Sequence, residues 1–199
     1  MAKLLNWHNF SGKLREKKIF IFSPLDVRRL FGSSAVAANF LLHRYAQKGF
    51  VLRLRQGLYA FPDAIPSELF IANKLYEPSY VSLEFALSYH GIIPENVYEI
   101  TSVTTKSTRR FKSLGKIYSY RRIKKSAFTG YTLMSQNGFT FFIAEPEKAF
   151  VDTSYFRLYD GLPPLSRFSK KNIKPGKALR YAALFNNKKI SDIIKKILR

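Results

Sequence analysis

Cysteine is absent from all 199 residues, which excludes disulfides, thiolate nucleophiles and cysteine-held zinc. Histidine is almost as scarce, and His8, His43 and His90 show no metal-ligand spacing. No window of about 18 uncharged apolar residues occurs, so no membrane partner is expected. The opening MAKLLNWHNFSGK has neither the apolar core nor the small-residue cleavage site of a signal peptide, and the expected location is the cytoplasm. A glycine-rich phosphate loop, a Gly-x-Ser-x-Gly elbow and a His-Glu-x-x-His pair are all missing. No catalytic residue, metal site or cofactor is therefore assigned.

Acid is the other shortage, with 13 Asp and Glu against 34 Lys and Arg. The excess is uneven. Residues 1–62 hold eleven basic and two acidic residues, residues 63–165 hold twelve and ten, and residues 166–199 hold eleven and one. Within the middle part, Lys106 to Lys125 contains nine basic residues and no acid. Such blocks suit a polyanion, with affinity that falls as salt rises. The 46% hydrophobic and 16% aromatic content is ample for a packed core.

The stretch from Ser23 to Pro62 reads as a helix-turn-helix with a wing. Ser23, Pro24 and Asp26 form a helix start: a capping oxygen, a proline at the first position and a carboxylate in the first turn. Gly32-Ser33 ends that helix, Ser34 caps a second one, and Lys48-Gly49 stops it. At about 100° per residue, Ala38, Leu41, Leu42 and Tyr45 share the arc that faces a core. Val36, Asn39, Phe40, His43, Arg44 and Gln47 occupy the opposite arc. Asn and Gln suit adenine, and Arg suits guanine or phosphate. Leu52-Arg53-Leu54-Arg55 alternates, and Gln56-Gly57 turns the chain into Leu58-Tyr59-Ala60-Phe61, a two-stranded hairpin with a basic outer side. The candidate DNA-binding residues are Ser33, Ser34, Asn39, His43, Arg44, Gln47, Arg53, Arg55 and Gln56, and the expected partner is double-stranded operator DNA. A small α+β unit with merely solvated charges is the plainer alternative.

The helical pattern of Leu4, Leu5, Trp7, Phe10 and Leu14 supplies a first helix, with Gly12 a blemish, and Ile19 to Phe22 can add a third strand. Pro62-Asp63 and Pro66 mark a boundary. The fold expected is α+β: a winged helix-turn-helix over 1–62, then a domain over 63–199 made of an α+β core (63–165) and a basic helical tail (166–199). In the core, helices over 69–76 and 81–91 precede an antiparallel sheet, and a helix begins at Pro146. The tail, with amphipathic helices over 177–185 and 190–198, is expected to add electrostatics rather than fold.

Tyr118-Ser-Tyr120-Arg-Arg122 alternates rings with charge, a pattern that stacks single-stranded bases or simply packs tyrosines beneath solvated arginines. Glu145, Glu147 and Asp152 could hold a divalent ion for phosphodiester cleavage. A helix-start carboxylate and a core hydrogen-bond acceptor are the structural readings of the same residues.

Three segments carry a family resemblance: Tyr45-Ala-Gln-Lys-Gly49-Phe with Leu54-Arg-Gln-Gly57-Leu-Tyr59; Tyr80-Val-Ser-Leu-Glu84-Phe-Ala-Leu-Ser-Tyr-His-Gly91; and Ile143-Ala-Glu-Pro-Glu147-Lys-Ala149-Phe-Val-Asp152. In this order, over roughly residues 1–160, the chain resembles the AbiEi antitoxins of type IV toxin–antitoxin systems. The lysine-rich tail departs from that pattern. The resemblance implies a winged helix that represses its own operon, a C-terminal domain that counteracts a nucleotidyltransferase-like toxin, and no enzymatic activity. Arg109, Arg110, Arg121 and Arg122 are the candidate antitoxin surface, because positive charge gathers in the strand region between Lys106 and Lys125. The alternatives are a winged-helix regulator without antitoxin role and a metal-dependent nucleic-acid-cleaving enzyme.

Overall fold

The computed structural model describes residues 6–198, so Leu4 and Leu5 of the expected first helix lie outside the described residues. The fold is α+β, and it divides into two compact units between Ser67 and Glu68. No described helix is long and apolar enough to cross a membrane.

Unit 1 contains α1 (Trp7–Glu16), β1 (Ile21–Phe22), α2 (Pro24–Phe31), α3 (Ala35–Gln47), β2 (Leu52–Arg55) and β3 (Leu58–Ala60). Each helix start has a side-chain cap. Asn6 accepts from the Asn9 amide, Ser34 accepts from the Ala37 amide, and Ser23 and Asp26 form a reciprocal capping box. Such a cap satisfies N–H groups that have no partner within the helix and contributes about 1 kcal/mol. Gly32 closes α2 at φ +63°, a conformation that costs any residue with a Cβ. Gly12 is tolerated inside α1, where its missing Cβ faces open space.

Phe10, Leu14, Phe22, Val27, Ala38, Leu41, Leu42, Tyr45 and Phe61 form the buried centre of this unit. Phe10 lies 5.6 Å from Phe22 and 5.3 Å from Tyr45 between ring centroids, so the three helices and the sheet share one aromatic core. The sheet is antiparallel in the order β1-β3-β2, with Ile21 and Leu52 both opposite Ala60.

Unit 2 contains α4 (Glu68–Leu75), β4 (Ser79–Val81), α5 (Leu83–Tyr89), β5 (Ile100–Thr104), β6 (Arg109–Ser113), β7 (Lys116–Arg122), β8 (Tyr131–Gln136), β9 (Phe139–Ala144), α6 (Pro146–Tyr159), α7 (Pro175–Ala183) and α8 (Lys188–Leu198). Six strands run in the order β6-β7-β5-β4-β9-β8. The expectation of an antiparallel sheet fails at two places, because β5 pairs parallel with β7 and β4 pairs parallel with β9. The cause is β4. Of its three residues Val81 is the first of the helix read over 81–91, and all three instead pair with β5 on one side, with Val81 also opposite Ile143 of β9 on the other. The helix begins only at Leu83, whose φ of +61° makes the sharp change of direction.

Register assigns the two faces of the sheet. Tyr80, Val103 and Arg121 are successive partners across β4, β5 and β7, and Tyr80 donates to Asp152 of α6. Tyr120, one residue out of phase, donates to the Ala72 carbonyl of α4 at 2.6 Å. The sheet thus has α6 over one face and α4 over the other.

The tail is not an appendage. Ile173, Ala178, Ala182, Phe185, Ile190 and Ile194 are buried, and the Phe185 ring lies 4.3 Å from that of Tyr155 on α6. Ser169 donates its amide to Ile92, and Lys124 and Ser126 donate to the carbonyls of Phe185 and Leu184. On α8 the lysines mark only the solvent side, and on α7 the half-buried Lys177 pairs with Glu145. The apolar sides of both helices have α6 as partner, which is why charge composition alone misassigned the segment.

Candidate nucleic-acid interface

The outer arc of α3 is open. Asn39, His43 and Gln47 are exposed, and Val36 and Phe40 remain 80% and 66% exposed although large and apolar. Asn39 donates its amide to the Ala35 carbonyl at 2.9 Å, which leaves its side-chain oxygen facing outward as an acceptor. The other candidates sort by environment. Ser34 is the α3 cap, while the Ser33 hydroxyl is buried with no hydrogen-bond partner among the described residues. Arg44 is half-buried, with its guanidinium 5.6 Å from the Tyr45 ring centroid. Burial raises the Tyr45 hydroxyl pKa, and the neighbouring Arg44 only partly offsets it.

The hairpin follows α3 directly, because the Phe50 amide donates to Tyr45 at 2.9 Å and the two rings lie 5.9 Å apart. Leu54 is buried and Arg53 is exposed, as strand alternation requires. Arg55 is half-buried and donates to the Gln56 carbonyl at 2.8 Å, where the β2–β3 register shifts. Gln56 is exposed at the turn, and Gly57 supplies it with φ +72°.

The basic strands of unit 2 do not form one face. Arg109 is in phase with Tyr120 on the α4 side and Arg110 and Arg121 point to the α6 side, while Arg122, the last residue of β7, borders a hollow at the strand's end against α6. Arg110 grips both carboxylate oxygens of Glu99 at 3.1 and 2.9 Å. Arg121 grips Asp160 at 2.5 and 2.8 Å and lies 4.1 Å from the centroid of Phe156. That guanidinium holds the Asp160 carboxyl below the usual carboxylate range. Tyr118 and Tyr120 are buried, and burial pushes the Tyr118 hydroxyl up to about 12. Base stacking on this pair is therefore closed, and the packed-tyrosine reading holds.

The three acids of the cleavage reading each contact cations or hydroxyls of the chain itself. Asp152, fully buried, accepts from Tyr80 and Ser82 at 2.9 Å and pairs with equally buried Lys148. Burial pushes the Asp152 carboxyl up and the Lys148 ammonium down, and each partner opposes the other's shift. Glu147 lies 3.5 Å from Lys177 and accepts the Lys174 amide. Glu145 accepts from the Tyr181 hydroxyl and lies 2.9 Å from Lys177. Burial works to raise the Glu145 carboxyl, and Tyr181 and Lys177 together outweigh it and hold it low. Gly130 completes this cluster, since a Cβ there would lie 2.7 Å from the Tyr181 ring. Among the described residues, no group of three or more His, Asp or Glu side chains is placed to hold a metal ion.

At the end of β7, Arg121, Arg122, Lys124 and Lys125 border a hollow of about 440 Å³ whose other wall is Tyr155, Phe156 and Tyr159 of α6. The basic run is visible in sequence, but only folding brings it against rings some 30 residues further on. The chain matches no protein-family model, and no curated protein matches it either.

Proposed function

We propose that unit 1 is a winged helix that binds double-stranded operator DNA, and that the chain is an autorepressing antitoxin of the AbiEi type. The observation that carries the DNA reading is the outer arc of α3, where the amides of Asn39 and Gln47 and the apolar tips of Val36 and Phe40 stand exposed. These groups suit adenine edges and thymine methyls in a major groove. Arg53 on β2 adds a sequence-independent attraction to phosphate. Ser34 acts in this reading through its cap, which orients the start of α3, and Arg44 acts from a position braced on Tyr45.

The antitoxin role rests on the three sequence segments shared with that family. It is the basis for proposing a nucleotidyltransferase-like toxin as the functional partner. The buried Lys148–Asp152 pair gives the third segment a structural part in unit 2, and the exposed pair Arg109 and Arg122 is the portion of the arginine surface best suited to outside contact.

The test is a gel-shift titration of the full chain on its own upstream promoter across a salt series, with repression of a reporter as the second readout. A retarded complex that competitor DNA of unrelated sequence fails to displace supports the reading. Equal affinity for promoter and unrelated duplex overturns it. Rescue of cells that express a nucleotidyltransferase encoded beside this chain tests the antitoxin half separately.

A further inference from the structure

We propose that the hollow at the end of β7 binds a nucleoside phosphate, with its phosphates on Arg122 and Lys125 and its base on the ring of Tyr159. This goes beyond the DNA reading, because every residue involved belongs to unit 2, and it does not depend on the antitoxin reading.

The hollow is built rather than incidental. Ile123 is buried and donates its amide to Thr104 at 2.8 Å, which holds the exit of β7 against the sheet. The Arg122 amide donates to the Thr108 hydroxyl at 3.2 Å, so that hydroxyl keeps its own hydrogen for an outside acceptor. Across the gap, Tyr155 and Tyr159 stand one helical turn apart with ring planes at 30°. Tyr155 is clamped by Phe185 at 4.3 Å, whereas Tyr159 is 76% exposed and offers an open ring face.

Charge separates this hollow from the larger one in the same unit. The larger space, about 790 Å³, is bordered by Glu68, Glu99 and Lys116. There the charges are already matched, Glu68 to Lys116 and Glu99 to Arg110. In the β7 hollow Asp160 neutralises Arg121, and Lys124 donates to a carbonyl. Among the described residues no carboxylate pairs with Arg122 or Lys125. Two uncompensated cations beside stacked rings match a phosphate joined to a planar base, since arginine grips phosphate oxygens and a base stacks on an aromatic face. The volume of about 440 Å³ suits one nucleotide rather than a duplex.

The test is calorimetric titration of the full chain with ATP and, in parallel, with inorganic tripolyphosphate, which has charge and no base. Arg122→Gln with Lys125→Gln should weaken both probes about tenfold. Tyr159→Ala should weaken ATP by roughly five- to a hundredfold, the range of one lost stacking contact, and leave tripolyphosphate within twofold. All three side chains are exposed, so circular dichroism and promoter binding should be unchanged in each variant. A single strand ending in adenylate that displaces ATP identifies a strand end as a source of the ligand. Failure to displace identifies the free nucleotide, and both results support the assignment. The proposal is overturned if millimolar ATP does not bind, if Tyr159→Ala weakens both probes alike or neither, or if neutralising the remote Lys170 and Lys171 costs as much as Arg122 with Lys125.

Discussion

The two units handle positive charge in opposite ways. Unit 1 has three acids, and two are engaged: Asp26 in the α2 capping box and Asp63 with Arg15 at 2.7 Å. Unit 2 sets Glu99, Asp160, Glu68, Glu145 and Asp152 against Arg110, Arg121, Lys116, Lys177 and Lys148. In the densest basic run of the chain, Lys106 to Lys125, Arg110, Lys116 and Arg121 are thus neutralised, whereas Arg53 in the sparser first unit stands exposed. Net charge along a sequence counts cations. Binding to a polyanion depends on which of them remain uncompensated and reach solvent.

The largest effect should come from removing residues 166–199. If the tail were only electrostatic, unit 2 would keep a cooperative transition. Because Phe185, Ile190 and Ile194 are buried, we expect cooperative thermal unfolding of unit 2 to be lost, and Ile194→Ala alone to cost about 2–5 kcal/mol. Calorimetry of the truncated and point variants checks both.

Next in size is the buried pair. Asp152→Ala strands the Lys148 ammonium in the core and should cost about 3–5 kcal/mol. Replacing both, Lys148→Met with Asp152→Leu, should cost less than the single change, because no buried charge is left alone. Denaturant titration of the two variants gives the comparison, and a double variant worse than the single would show that the unpaired Lys148 ammonium is not the main cost of losing Asp152.

In unit 1, Arg53→Ala with Arg55→Ala should weaken binding to any duplex about tenfold and reduce the salt slope by about 2. Gln47→Ala should cost about 1–3 kcal/mol on the operator and little on unrelated DNA. The same affinity loss from Arg110→Ala with Arg121→Ala would erase the contrast between the units, since those two guanidiniums are held by Glu99 and Asp160.

The smallest effect concerns acid. The Asp160 carboxyl is held low by Arg121, and Asp63 by Arg15. A carboxylate with a lowered folded pKa stabilises above its ordinary pKa and loses that contribution as pH falls through the folded value. Both pairs are partly exposed, so the contribution is small and screened by salt. Between pH 5 and pH 3, Asp160→Asn should show a slightly smaller fall in melting temperature than the parent chain, and an identical fall would mean the pair adds no stability.

Local chemistry was legible in the residues themselves. Ser23 and Ser34 cap helices, Gly32, Gly49 and Gly57 adopt left-handed turns, and Ala38, Leu41, Leu42 and Tyr45 face the core, because each depends on neighbours within about one turn. The helix start at Pro146 was legible too, whereas nothing local showed that Lys148 is fully buried against Asp152. What only tertiary structure decided were relations between distant segments. The three residues of β4 become a strand because β5 and β9 supply hydrogen bonds on both sides, where their short length carries no period of its own. The tail belongs to unit 2 because α6 offers an apolar face, and an amphipathic pattern cannot say what covers it. The arginines of β6 and β7 divide between two faces, two of them caught by Glu99 and Asp160, because the pleat alternates and the acids arrive from other elements. The rings of Tyr155 and Tyr159 meet Arg122 and Lys125 for the same physical reason: a helix and a strand far apart in the chain are packed together by a core that neither encodes alone.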